Sequence, residues 1–453
     1  MDTKNSNKNV DFSALVSPFK FGPFTLPSRT AVAPMNNMRQ QDGYPNMDSL
    51  CFYTRRARGG YGLIIAEPVS TGKFQDELNP YLQTRLYTPE HAKAWRLVVE
   101  GVHSFGGRII AQLAGLGAGR QHWDPTGKTR PAAASPIPFE VTKDHLPKNF
   151  DKDPNIEMHL KGDMPRELTR AEIYKAIEDY YMSTRMAIMA GFDGVEYHTC
   201  HGYSGHNFLS PNQNFRTDEF GGSWENRTRF ARECFKQIMR AIRDEGVEGK
   251  FVAGCRTSAA EHTPGGFTYE DMVKFHKMLI ELGSSFVDLS DSAGYERWDI
   301  FIPDEDKMPL KIEQAHYFDK ELDVPVLIPS VHDPVLAAQL ANETKNIIFS
   351  HGRQSLADPD WTNKIRDKWT RSTGASAAIS AACSSTAFTP EYSCAASSTL
   401  RWASKCTTAP TTPSRWHPAS ICAKTVNAEG GAHPPFFDFS TSQAVQPYSC
   451  DKA

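Results

Sequence analysis

His198, His201 and Tyr203 fall in one short stretch, Gly191-Phe-Asp-Gly-Val-Glu-Tyr-His198-Thr-Cys-His201-Gly-Tyr203. An apolar run there stops and at once presents titratable groups, which is the layout of a catalytic loop leaving a buried parallel strand. Two neighbouring imidazoles offer two donors that can polarise a carbonyl. A phenol, with an ordinary pKa of about 10, can then supply a proton. A lone strand-end histidine is more often a satisfied structural residue, but a pair followed by tyrosine favours chemistry. The same histidines are transition-metal ligand types. No third ligand of suitable spacing stands out in the sequence, so no metal site is expected. Cys200 reads as a packed small residue rather than a nucleophile.

Other candidates close further apolar runs: Pro34-Met35-Asn36, Glu67-Pro68, Gln112 and Arg256. An amide such as Gln112 can both donate and accept at the edge of a heterocycle. A guanidinium such as Arg256 can stabilise developing negative charge. Singly, each reads as a structural hydrogen bond or ion pair. As an ordered set at successive strand ends, they read as a ring around a planar polar cofactor. Near the end of the periodic region comes Ser350-His-Gly352-Arg353. Glycine there frees backbone N–H groups for a phosphate, and arginine adds charge.

These residues need a scaffold that brings strand ends together. Eight short apolar runs begin near residues 30, 60, 107, 192, 250, 285, 324 and 346. Helical spacing follows at about 89–104, 169–190, 224–245 and 268–282, with Thr169 as a cap. The alternation predicts an α/β fold, a TIM (β/α)8 barrel, with a doubly wound sheet as the competing arrangement. Residues 116–165 lack periodicity and read as a lid over the pocket. The Gly115-Leu-Gly-Ala-Gly119-Arg120 run has the glycines of a nucleotide loop but lacks the strand–turn–helix setting of a dinucleotide fingerprint.

Net charge is −3 and pI about 6.6, which suggests neither nucleic-acid nor membrane partners. The polar N-terminus has no signal-peptide core, and no apolar run is long enough to span a bilayer. Cys51, Cys200, Cys234 and Cys255 form no disulfide pattern, so a cytoplasmic location is expected. Small-molecule substrates fit this profile; a homo-oligomer is compatible with it.

With Asn207-Phe-Leu-Ser-Pro-Asn-Gln-Asn-Phe-Arg-Thr-Asp-Glu-Phe-Gly-Gly-Ser-Trp-Glu-Asn-Arg-Thr-Arg229-Phe, the histidine stretch resembles the Old Yellow Enzyme family of FMN-dependent oxidoreductases. The resemblance extends over about residues 17–368 and includes Gly352–Trp361. It implies that Gln112 and Arg256 bind the flavin pyrimidine and that Asn36 lies near the flavin carbonyl and N5. It gives Pro34, Met35 and Pro68 backbone or packing contacts, and Ser330, Gly352 and Arg353 the phosphate end. It assigns His198 and His201 to a substrate carbonyl and Tyr203 to proton donation. The implied reaction is reduction of the activated C=C bond of an α,β-unsaturated carbonyl compound, with NAD(P)H as electron donor. One departure stands at strand seven, where the family usually has glycine and this chain has Ile328-Pro329-Ser330; proline's missing N–H puts FMN affinity in question. Two rivals follow. An amine dehydrogenase would want an aromatic cage, to which Tyr295 and Trp298 could contribute. A barrel that has lost cofactor binding is the other.

The expected domains are a loose N-terminus at 1–16, an FMN-binding barrel at 17–369 and an irregular, disordered tail at 370–453. Larger members of the family, 2,4-dienoyl-CoA reductases and trimethylamine dehydrogenase among them, carry a four-cysteine 4Fe-4S segment after the barrel. The tail cysteines Cys383, Cys394, Cys406, Cys422 and Cys450 contain no Cys-x-x-Cys and do not support a cluster. Read two bases downstream, Ala375–Ala381 can encode Cys-Ile-Ser-Cys-His-Gln-Cys, and Ala396–Lys405 can encode Cys-Val-Val-Asn-Pro-Thr-Leu-Gly-Phe-Glu. Those strings look like the family's cluster segment, which reads the tail as a frameshift product; sequencing the gene tests it.

Overall fold

The computed structural model describes residues 10–371 apart from 38, 79–83, 116–130, 139, 141–161 and 292–303. The expectations for residues 1–9, most of the lid, Tyr295, Trp298 and the tail after 371 lie outside the described residues.

The eight strands are β1 (Thr30–Val32), β2 (Leu63–Ser70), β3 (Arg108–Ala114), β4 (Gly194–Thr199), β5 (Val252–Ser258), β6 (Phe286–Ser290), β7 (Val326–Pro329) and β8 (Ile347–His351). Each pairs in parallel with the next, and β8 returns to β1 through Phe349↔Thr30 and Ser350↔Ala31. The sheet therefore closes, and the doubly wound alternative, which leaves two edges, is excluded. Around the barrel run α1 (Met47–Arg58), α2 (Pro89–His103), α3 (Arg170–Ala190), α4 (Trp224–Asp244), α5 (Tyr269–Glu281), α6 (Asp304–Glu321), α7 (Pro334–Glu343) and α8 (Trp361–Arg371). Local chemistry sets their starts. Thr169 caps α3 in a reciprocal box with Glu172, and Asn46 does the same for α1 with Ser49.

The strand period of two sorts the side chains. Val195 and Tyr197 of β4 join the layer between strands and helices, where Tyr180, Phe235 and Trp95 are also buried. The alternate positions fill the barrel. Leu63, Ile65, Ile110, Val252, Phe286, Leu327 and Ile348 form a separate core with Phe21 and Leu26. Phe21 and Leu26 come from an antiparallel hairpin, Phe19–Phe21 with Phe24–Leu26, which plugs the end where the strands begin. Gly254 makes room for this plug, since a Cβ there would sit 2.4 Å from the Phe286 ring.

Two expectations are corrected. Residues 10–16 are not loose: Ser13–Val16 is helical, and Phe12, Leu15 and Val16 are buried apolar side chains that dock in the core. Within the stretch read as an aperiodic lid, Ala132–Ala133 pairs in parallel with Arg166–Glu167. Asn207 Oδ1 accepts the Ala134 N–H at 2.7 Å, tying that segment to the loop after β4. No described helix is long and apolar enough to cross a membrane.

Candidate active site

The alternation that sends Ile110, Val252 and Phe286 inward continues upward. It makes Gln112, Glu196, His198, Arg256, Asp288 and Ser290 inward-facing positions, at or near the C-terminal ends of β3 to β6. The register sets Gln112 beside Glu196, His198 beside Arg256, and Arg256 beside Asp288. Pro68 is paired with Gln112 across a bulge in β2 that falls between Ile65 and Pro68. A bulge tolerates a residue without an N–H and re-aims its neighbours.

Gln112 Nε2 donates to Glu196 Oε1 at 2.6 Å. Its own Oε1 is buried and has no hydrogen-bond partner among the described residues. Glu196 and Asp288 are both fully buried and close enough to interact directly. Burial, then the neighbouring Asp288 charge, pushes the Glu196 carboxyl well above the carboxylate range. Burial also raises Asp288, but Arg256 opposes the rise. Glu196 thus keeps the proton and Asp288 carries the charge. Arg256 Nε lies 3.2 Å from Asp288 Oδ2. Burial works against the Arg256 charge, but its acidic surroundings, the Asp288 carboxylate foremost, more than offset it. A cationic guanidinium and an amide oxygen with no partner among the described residues are therefore held in one layer of the barrel.

The next layer is the loop leaving β4. His201 Nε2 lies 2.6 Å from Ser290 Oγ, which also accepts from Arg256 Nη2 at 3.4 Å. Cys200 Sγ lies 3.3 Å from His198 Nε2 and 3.4 Å from His201 Nδ1. The His198 ring is edge-on to Tyr203, with centroids 5.2 Å apart. His201 has φ 60° and Gly202 φ 77°, so two successive left-handed residues fold the loop back over the strand end. The sequence reading found no third donor beside the two histidines; the fold supplies one in Cys200.

The remaining candidates sit on the adjoining arc. Pro34 is buried, Met35 half-buried and Asn36 exposed, just past β1. Met35 Sδ would lie 3.5 Å from a Cβ on Gly352, so the β1 and β8 loops meet. Gly352 and Arg353 directly follow β8, and Ser330 directly follows β7. Ser330 has φ 70°, a conformation that glycine takes without strain, so the turn persists without glycine.

Residues 14–371 match the sequence profile of the NADH:flavin oxidoreductase / NADH oxidase family. The chain belongs to that family. It is 30% identical over 359 residues to an NADH oxidase of Thermoanaerobacter brockii, covering 79% of this chain and 51% of that protein. It is 33% identical over 230 residues to 12-oxophytodienoate reductase 1 of Oryza sativa subsp. japonica, covering 50% of this chain and 56% of the relative. A solved 2-naphthoyl-CoA reductase shares the fold with a TM-score of 0.66 at 22% identity, over 79% of this chain and 52% of that one. The chain spans about half the length of these proteins. The barrel is the part of those proteins that this chain shares.

Glu196, Asp288 and Ser290 were not among the candidates read from the sequence, although each is visible as a polar residue interrupting an apolar strand at an inward position. Glu67 stood among the strand-end candidates without a role of its own. Burial lifts its carboxyl to about 7, with Tyr53, Asn37 and Thr84 around it.

Proposed function

We propose that this chain binds FMN in the C-terminal mouth of the barrel and reduces the activated C=C bond of an α,β-unsaturated carbonyl compound with electrons from NAD(P)H. The observation that carries this reading is one continuous run of contacts, Gln112–Glu196–Asp288–Arg256–Ser290–His201–Cys200–His198–Tyr203. One buried group supports the fit to FMN: Gln112 Oε1, without a hydrogen-bond partner among the described residues, is an acceptor suited to a pyrimidine N–H. When bound, FMN would supply two-electron hydride chemistry between a nicotinamide and the substrate carbon.

Around that chemistry the protein's own groups act as follows. Gln112 and Arg256 hold the pyrimidine edge, and the guanidinium stabilises negative charge there. Ser330, Gly352 and Arg353 hold the phosphate. Asn36, Pro34, Met35 and Pro68 line the ring. A carbonyl oxygen competes with Cys200 for the His198 and His201 nitrogens and is polarised between them. Ser290 fixes the orientation of the His201 ring. Tyr203 gives its phenolic proton to the α-carbon. The relative named for 12-oxophytodienoate supports an oxo-compound with C=C bonds as the substrate class.

An absorbance spectrum followed by anaerobic titration tests the reading. Flavin bands that bleach with NADH or NADPH and return on adding an enone such as cyclohexenone are expected. A colourless protein that takes up no added FMN would overturn it.

A further inference from the structure

The sulfur of Cys200 faces two imidazole nitrogens at once, His198 Nε2 at 3.3 Å and His201 Nδ1 at 3.4 Å. All three donor atoms lie within 4.8 Å of one another. A thiol has one weak proton to share between two rings and is a poor acceptor. Protons alone serve this geometry badly, whereas one cation could engage all three donor atoms at once. With Zn–S about 2.3 Å, Zn–N about 2.0–2.1 Å and tetrahedral angles, the N···S separation is about 3.5 Å. The two observed separations, 3.3 and 3.4 Å, are one to two tenths of an ångström shorter.

Three further features suit a ligand set. The outer nitrogen of His201, Nε2, is held by Ser290 Oγ at 2.6 Å, the outer partner that ligating imidazoles ordinarily have. The left-handed backbone at His201 and Gly202 turns both rings onto one sulfur. Non-glycine residues are kept in that conformation only where the surroundings hold them there. Cys200 and His198 are buried, whereas His201 is half-buried, so the cluster is reached from the His201 side.

We propose that His198, Cys200 and His201 form a binding site for a borderline-soft divalent cation of the zinc type, with the fourth position open to water. The site itself stands on geometry. One consequence rests on the function proposed above: an ion there takes both imidazoles away from the substrate carbonyl, so zinc inhibits enone reduction competitively.

The test uses the full chain, loaded with FMN and stripped of metal, titrated with ZnCl2 against a chromophoric chelator. Wild type is compared with Cys200→Ala and, separately, His201→Gln. Cysteines elsewhere, including Cys51 and those of the tail, give the same background in all three proteins. One equivalent should weaken by more than about tenfold in each variant, a loss no smaller than removal of an outer-shell partner brings. Zinc absorption-edge spectroscopy on wild type at one equivalent needs no variant. It should show one sulfur at about 2.3 Å and nitrogens at about 2.0–2.1 Å. Equal affinity in wild type and a natively folded variant, or a shell without sulfur, overturns the site. Zinc uptake of this kind by a protein that reduces no enone upholds the site and sinks the reaction. Enone reduction without zinc uptake does the reverse.

Discussion

Gln112 Nε2 donates to Glu196 Oε1 across β3 and β4 at 2.6 Å, and that one bond decides which end of the amide is left over. Because the amide N–H is spent on Glu196, Oε1 is the atom without a partner among the described residues. The amide's direction thus depends on a carboxyl two strands from Asp288. Gln112→Ala should weaken FMN binding by roughly two- to tenfold, the worth of one hydrogen bond. Fluorescence of released FMN measures it. Unchanged affinity would remove Gln112 from the flavin site.

Tyr203→Phe separates the two halves of the proposed reaction. Loss of a positioned proton donor costs about 10²–10⁴ in rate. That loss should appear when an enone reoxidises the pre-reduced enzyme in a stopped-flow experiment. Anaerobic bleaching by NADH should stay close to wild type, because the phenol has no part in it. Equal losses in both halves would reassign Tyr203 to packing.

Glu67 carries a pH prediction. Burial raises its carboxyl from 4.5 to about 7 in the folded protein. Between those values the folded state holds a proton that the unfolded state has released. Stability contributed by this group is therefore full below 4.5 and declines as pH rises towards 7. Glu67→Gln, which keeps the shape without the charge, should flatten the fall in Tm across that window. It should also raise stability at neutral pH by about 1–3 kcal/mol. A variant with the wild-type Tm profile would place the titration elsewhere.

Gly254→Ala tests the plug at the closed end of the barrel. The added Cβ would fall 2.4 Å from the Phe286 ring, which itself lies tilted against Phe21 with ring centroids 5.1 Å apart. Overpacking of this kind costs about 1–3 kcal/mol. Urea unfolding should show that loss while the flavin spectrum is retained. A neutral substitution would mean that the plug yields easily.

Much of this architecture was legible in the chain. The strands announce themselves because parallel barrel strands are buried on both faces and read as apolar runs. Thr169 was legible as a cap because its side chain closes a local box with Glu172. Other elements were not. The hairpin at Phe19–Leu26 is short, and α6 contains Pro309, which masks its period. At the site, His198 and His201 stood out by type and spacing. Cys200 as a third donor did not, because its role depends on positive φ at His201 and Gly202 rather than on spacing. Glu196 and Asp288 were hidden for a different reason: their partners lie on neighbouring strands far away in sequence. Contacts of that kind exist only once the barrel has closed.

The closure itself has a kinetic meaning. The guanidinium of Arg29, just before β1, donates to Ile347 O at 2.7 Å, 318 positions further along. During synthesis β1 can pair with β2 early, but its other edge stays open until β8 has emerged. An unpaired strand edge is a template for association with other chains, and contacts this distant in sequence form slowly. The nascent chain is therefore most exposed to misassembly while β8 is still being made. A defect anywhere in β8 would be felt first as lost solubility, before any flavin could bind.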